Sequence, residues 1–222
     1  MKLFRINNKI NPSIEELREK EDFELIAELS HHQIKDFVKN HITEESRIIR
    51  YYMVYQILMV LTGLYFIIRS IFLAFTGIVQ PIIFIASGLA FTLTLLVIIH
   101  ELLHGFALKI TGAKRIAFGG FIRKFIFYAE ADRHVMNRKQ FAFVALTPFV
   151  VIKLITLAGI IILYNQPALY FPMVVMTAHS LFCAGDIVLL SYFYRFPGCE
   201  IFSYDERSEK KSYFYKRTKV IQ

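Results

Sequence analysis

The stretch "LLVIIHELLHGFALKITG", Leu95 to Gly112, decides the fold. Its first five residues are aliphatic and continue an apolar run that begins at Pro81, so it reads as the end of a bilayer helix. The same helix carries His100, Glu101 and His104. A charged group at the centre of a membrane helix costs roughly 2.5–3.5 kcal/mol on insertion scales, so such residues need a partner or a task. Positions i and i+4 share a helix face, and H-E-x-x-H therefore puts two imidazoles where one ion can take both.

The rest of the chain supports a membrane setting. Of 222 residues, 55% are hydrophobic and 15% aromatic, and the mean hydropathy is +0.46. A net charge of +8 fits basic loops against anionic lipid better than nucleic acid. Cys183 and Cys199 make no disulfide framework. A polar, charged segment precedes the first apolar run, so no signal peptide is expected.

Four apolar runs extend from about Ile48 to Phe75, Pro81 to Leu108, Phe141 to Tyr164 and Leu169 to Phe193. Each is long enough to cross roughly 30 Å of hydrocarbon as a helix of about 20 residues. Nine Lys and Arg lie up to Arg50, eight in 109–140 and seven from Arg195 onward, with only Arg69 and Lys153 elsewhere. The three rich segments fall on one side, which predicts a multi-pass protein of the cell membrane with both termini cytosolic. "SIEE" (Ser13 to Glu16) and "SHHQ" (Ser30 to Gln33) fit capping boxes, each followed by an apolar stripe. The expected fold is an all-α membrane protein of about four transmembrane helices. It has a cytosolic N-terminal helical segment (1–47), a membrane core (48–194) and a basic tail (195–222) lying on lipid. A short β-hairpin around Gly119-Gly120 is expected between the second and third spans, and Pro148 is expected to kink or open the third span.

Zinc suits the H-E-x-x-H face, because it accepts nitrogen and carboxylate ligands and a catalytic site keeps one position for water. Bound zinc lowers the water pKa to about 7. Glu101 can then serve as general base and pass the proton to a leaving amine. A third ligand is needed. Ala107 and Ile110 stand where the metzincin pattern has Gly and His, so that class is excluded. Asp186 is the better candidate. The second and fourth spans run in the same direction, and His100 and Asp186 each lie eight residues before the inner ends, Leu108 and Tyr194. Gly185 beside Asp186 would allow close helix approach. His179 shares a face with Asp186 and reads as a substitute ligand, a substrate contact or a hydrogen-bonded structural residue. Lys153, mid-span, reads as an oxyanion contact, a partner of Asp186 or a structural contact with a carbonyl. Glu130, Asp132 and His134 are rival ligands, but they stand among basic residues and read as a solvated face. The pair His31-His32 reads as solvated too.

"HELLHG", "ALTP" (Ala145 to Pro148) and "AHSLFCAGDI" (Ala178 to Ile187), in that order, resemble the bacterial membrane zincin peptidases, a group distantly similar to the site-2 proteases. The resemblance covers about residues 80–195. It implies zinc held by His100, His104 and Asp186, with Glu101 as base and a site near the cytosolic side. Site-2 proteases have Gly before the third-span proline, Asn three residues after it, and Gly after the aspartate. Thr147, Val151 and Ile187 stand there instead. The implied partners are membrane lipid and a membrane protein or peptide substrate. The function expected is peptide-bond hydrolysis in or next to the membrane. The alternatives are a zinc-binding or zinc-transporting membrane protein, and a non-catalytic relative acting as a scaffold.

Overall fold

The computed structural model describes residues 11–30, 33, 36, 37, 39, 46–121 and 126–218. In chain order these form α1 (Ile14–Glu19), β1 (Phe23–Ser30), α2 (Arg47–Phe75), α3 (Gln80–Leu93), α4 (Leu95–Ile110), β2 (Ile116–Phe121), β3 (Ile126–Ala131) and β4 (Met136–Asn137). There follow α5 (Arg138–Ile162), a 3-10 turn (Pro167–Leu169), α6 (Tyr170–Phe182), α7 (Ala184–Phe193), β5 (Cys199–Glu206) and β6 (Lys211–Thr218). The chain divides into two compact units. A helical unit comprises Glu45–Glu101 and Leu146–Ile187. A sheet unit comprises Met1–Glu44, Leu102–Ala145 and Val188–Gln222.

The helical unit follows the apolar runs. Two helices, α2 and α5, are each long and apolar enough to cross a membrane, and the pairs α3–α4 and α6–α7 reach that length if each is one bent span. The pairs are bent by 45° and 43°. The first break falls at Thr94, whose hydroxyl donates to the Ala90 carbonyl at 2.7 Å; such back-bonding to residue i−4 bends helices. The second falls at Cys183. The α5 helix instead runs unbroken through Pro148, so Pro148 does not open it. Ile85, Tyr170 and Val174 form the buried cluster between α3 and α6, flanked by Phe66, Ile67 and Leu89. Close approach of these helices depends on Gly88, where an added Cβ would lie 2.4 Å from Val174 Cγ1 and 3.2 Å from the Phe171 carbonyl oxygen. Gly185 does not serve that purpose: among the described residues, an added Cβ there meets nothing within 4 Å.

The sheet unit corrects the all-α expectation. The capping box at Ser13 is present, with Ser13 Oγ accepting from Glu16 N at 3.1 Å and Glu16 Oε2 accepting from Ser13 N at 2.9 Å. The helix it starts ends at Glu19, and Phe23–Ser30 is a strand, not a second stretch of helix. Ser30 closes that strand; the rest of the expected "SHHQ" box, including His31-His32, lies almost entirely outside the described residues. Within the basic tail, Cys199–Glu206 and Lys211–Thr218 form two strands. They complete an antiparallel sheet of order β1-β6-β5-β4, with Glu206 opposite Lys211 at the hairpin end and Leu29 opposite Ser212 on the far side. Period-2 alternation explains why. Phe202, Tyr204, Tyr213 and Tyr215 cover one face with Ile14, Leu17 and Val135. Ile201 and Phe214 cover the other with Leu29, Tyr192 and Phe193. The hairpin expected near Gly119-Gly120 is present as β2–β3, with Gly119 opposite Tyr128. Both cysteines are free.

Gly88→Ala is expected to lower the thermal midpoint of the detergent-solubilised protein, since overpacking costs about 1–3 kcal/mol. Adding Val174→Ala should recover part of the loss, because the colliding atom belongs to that stiff β-branched side chain. Strictly additive losses would place the contact elsewhere.

Candidate metal centre

The α4 helix continues without interruption from Leu95 to Ile110, so the H-E-x-x-H spacing becomes a real helical face. His100 and His104 are buried, while Ile99, Leu102 and Phe106 on other faces of the helix are exposed. Glu101 is partly exposed, one position round from His100. Asp186 stands in the first turn of α7, three residues past the break at Cys183. His100 Nε2 lies 3.3 Å from Asp186 Oδ2, so the depth argument from the two helix ends brings together the residues it compared. Ligand atoms of His100 lie within 4.8 Å of those of His104, one turn along, and of Asp186.

The other His100 nitrogen, Nδ1, is 3.0 Å from His179 Nε2. His179 is fully buried, and Cys183 Sγ is 3.7 Å from each of its ring nitrogens. His100, His179 and Cys183 thus form a second group of mutually close donors. One more hydroxyl supports the break: Tyr52 OH donates to the Ser180 carbonyl oxygen. In the sheet unit His104 Nδ1 lies 3.0 Å from the Val144 carbonyl oxygen. A carbonyl only accepts, so this nitrogen carries a proton, and in the neutral ring Nε2 then keeps its lone pair. Val144 is four residues before Pro148, and proline has no N–H to give to the i−4 carbonyl. The sequence signal for this contact was therefore available in "VALTP", at the position four before the proline.

The donor set passes a simple chemical test. Two imidazoles and a carboxylate are a known zinc set, and ligands about 2.0–2.1 Å from a tetrahedral zinc stand about 3.3 Å apart. That is the His100–Asp186 separation. Lys153 makes the contact with a carbonyl that is one of its expected roles: its Nζ is 3.3 Å from the Met176 carbonyl oxygen and 5.1 Å from the centre of the Tyr55 ring. Glu130, Asp132 and His134 have partners in the sheet unit. Arg207 Nε is 3.4 Å from Glu130 Oε1, the Arg207 N–H donates to Asp132 Oδ1 at 3.2 Å, and Thr111 Oγ1 is 3.1 Å from His134 Nε2. Glu130 is buried, which corrects the solvated face expected for it. Strand β3 is paired with β2, and the end of β3 is held through the Ala131 N–H, 3.4 Å from Asp205 Oδ2.

Residues 93–201 match the family described as "Putative zincin peptidase". This is the family that the three motifs indicated, and its zinc is the cofactor expected from them. The zincin match contains His100, Glu101, His104, Pro148, His179 and Asp186, and it ends within β5. Comparison with curated proteins and with solved structures gave no match.

Burial first, and then the nearby Asp205 carboxylate, raise the Glu130 pKa above its ordinary 4.5. A carboxyl whose folded pKa exceeds its unfolded value stabilises the fold below the unfolded value and loses that contribution as pH rises through the folded one. Glu130→Gln stays neutral throughout. Its thermal midpoint should exceed that of wild type at pH 7, with the gap closing as pH falls towards 4.5. A variant less stable at pH 7 would show that the Arg207 contact outweighs burial.

Proposed function

We propose that the chain is a zinc metallopeptidase that hydrolyses peptide bonds in or near the membrane. The observation that carries this is the 3.3 Å approach of His100 Nε2 to Asp186 Oδ2, with Glu101 next in sequence to His100. His100, His104 and Asp186 would hold the metal. Zinc bound there supplies a Lewis acid for the scissile carbonyl and makes water acidic near neutral pH. Glu101 takes the proton from the attacking water and hands it to the departing amine. The neutral His104, protonated on Nδ1, offers a lone pair at Nε2. A helical substrate must unwind before it is cut, because its backbone groups in lipid are bonded internally. The distribution of Lys and Arg supports a cell-membrane protein with cytosolic termini, and water entry from that side. The implied kinship is with the site-2 proteases, without their Gly and Asn around the third-span proline.

A second reading has one observation behind it. His100 also belongs to the His100–His179–Cys183 group, and adjoining ligand sets are what a zinc transporter would use. It leaves Glu101 without a proton to move.

Wild type and Glu101→Gln, purified in detergent, should each retain about one zinc, and only wild type should cleave co-expressed membrane substrates. The loss in rate should be on the order of 10²–10⁴-fold, the usual contribution of a general base. Equal cleavage by both would remove Glu101 from the mechanism. Asp186→Ala should lose zinc; full retention would point to a different third ligand. Zinc uptake into liposomes by wild type, with no cleavage, would establish the transporter.

A further inference from the structure

A metal-binding imidazole must present a lone pair at one nitrogen, and the hydrogen bond at its other nitrogen decides which. Both histidines of H-E-x-x-H have such a bond at Nδ1, at the same length. For His104 the partner is the Val144 carbonyl oxygen at 3.0 Å; for His100 it is His179 Nε2 at 3.0 Å. The Val144 carbonyl leaves one choice, a proton on Nδ1. At His100 the two sides of the ring differ in distance. The 3.0 Å to His179 lies within the hydrogen-bond range of about 2.7–3.2 Å. The 3.3 Å to Asp186 matches two ligands sharing one ion.

We propose that His179 is a positioning residue: its Nε2 accepts the His100 Nδ1 proton and leaves His100 Nε2 as the lone pair beside Asp186. Pro148 does the equivalent for His104, by leaving the Val144 carbonyl without its helical donor. This rests on zinc at His100, His104 and Asp186. With Nε2 accepting, the single proton of neutral His179 sits on Nδ1. Each ring then carries one proton and is neutral. The backbone under His179 is held for this purpose. Ser180 Oγ donates to the Thr177 carbonyl oxygen at 2.5 Å, and Tyr52 OH donates to the carbonyl of Ser180. His179 is fully buried, so water does not compete for the His100 proton.

The test uses the full chain in detergent and zinc competition against a chromophoric chelator. His179→Leu keeps the volume but has no acceptor, and it should weaken zinc binding by roughly 10–100-fold, the usual effect of removing an outer partner of a ligand. His179→Gln keeps an acceptor and should recover most of the affinity. Pro148→Ala returns an N–H to the Val144 carbonyl and should weaken zinc binding in the same direction. Equal affinities for the Leu and Gln variants would overturn the proposal, whether both match wild type or both fall alike. Metal-free unfolding midpoints separate a purely structural role, which would lower both without separating their zinc affinities. Nitrogen-15 histidine spectra of zinc-loaded wild type give a readout that needs no variant: Nδ1 of His100 should be protonated, and a proton on Nε2 would overturn the assignment. A thiolate-to-metal band in the cobalt-substituted protein, lost in Cys183→Ser, would show the metal on His179 and Cys183 and overturn it too. Wild type that retains no zinc would sink the metal centre itself, whereas zinc-replete wild type with an unaffected Leu variant would sink only the role of His179.

Discussion

An imidazole on an apolar helix is tolerated when its ring nitrogens are bonded, and much else in the helical unit is arranged around that constraint. His100 meets it with Asp186 on one side and His179 on the other. Those two residues flank the break at Cys183. A straight α6–α7 helix would space His179 and Asp186 by almost two turns on one face. The 43° bend between them changes how both can address one ring. The chemistry of the site and the irregularity of the helix are therefore one feature.

Breaks and prolines release backbone carbonyls, and at three of these places a polar side chain meets the released group. At the first break the Thr94 hydroxyl takes the Ala90 carbonyl. Beside the second, the Tyr52 hydroxyl takes the Ser180 carbonyl. Ahead of Pro148, the His104 ring takes the Val144 carbonyl. In the last case the same bond also selects the tautomer that a metal ligand needs. Lys153 obeys the same rule by a different route, with its ammonium set against a carbonyl oxygen and two aromatic faces.

The sheet unit shows where charge hid structure. Residues 199–218 carry the apolar runs Ile201-Phe202 and Tyr213-Phe214-Tyr215, but Lys211, Lys216 and Arg217 bracket the second and make the segment read as a basic tail on lipid. Tyr213 and Tyr215 go to one face and Phe214 to the other. The charged neighbours end in ion pairs across the sheet, Lys211 with Glu28 at 2.5 Å and Lys216 with Glu24 at 2.9 Å. The same holds for β1, whose "FELIAELS" reads equally as an amphipathic helix or a strand until β6 is beside it. Glu130 follows the same logic: its basic sequence neighbours suggest solvent, whereas the fold buries it beside Arg207 and Asp205.

The local pattern of this chain was enough for four apolar runs, a capping box at Ser13, a hairpin around Gly119-Gly120 and a helical face carrying His100 and His104. Each depends on residues within a few positions of one another, and helix and strand periods are local properties. Even Asp186 was reachable, since a uniform rise per residue converts distance from a helix end into depth. Three things were decided only by tertiary structure. They are the sheet that joins residues 23–30 to 199–218, the break at Cys183, and the outer partners His179 and Val144. The sheet and the outer partners join segments far apart in the chain, and the break has Tyr52 of α2 bonded to the Ser180 carbonyl beside it; no local period encodes which distant group will satisfy a buried hydrogen-bonding atom.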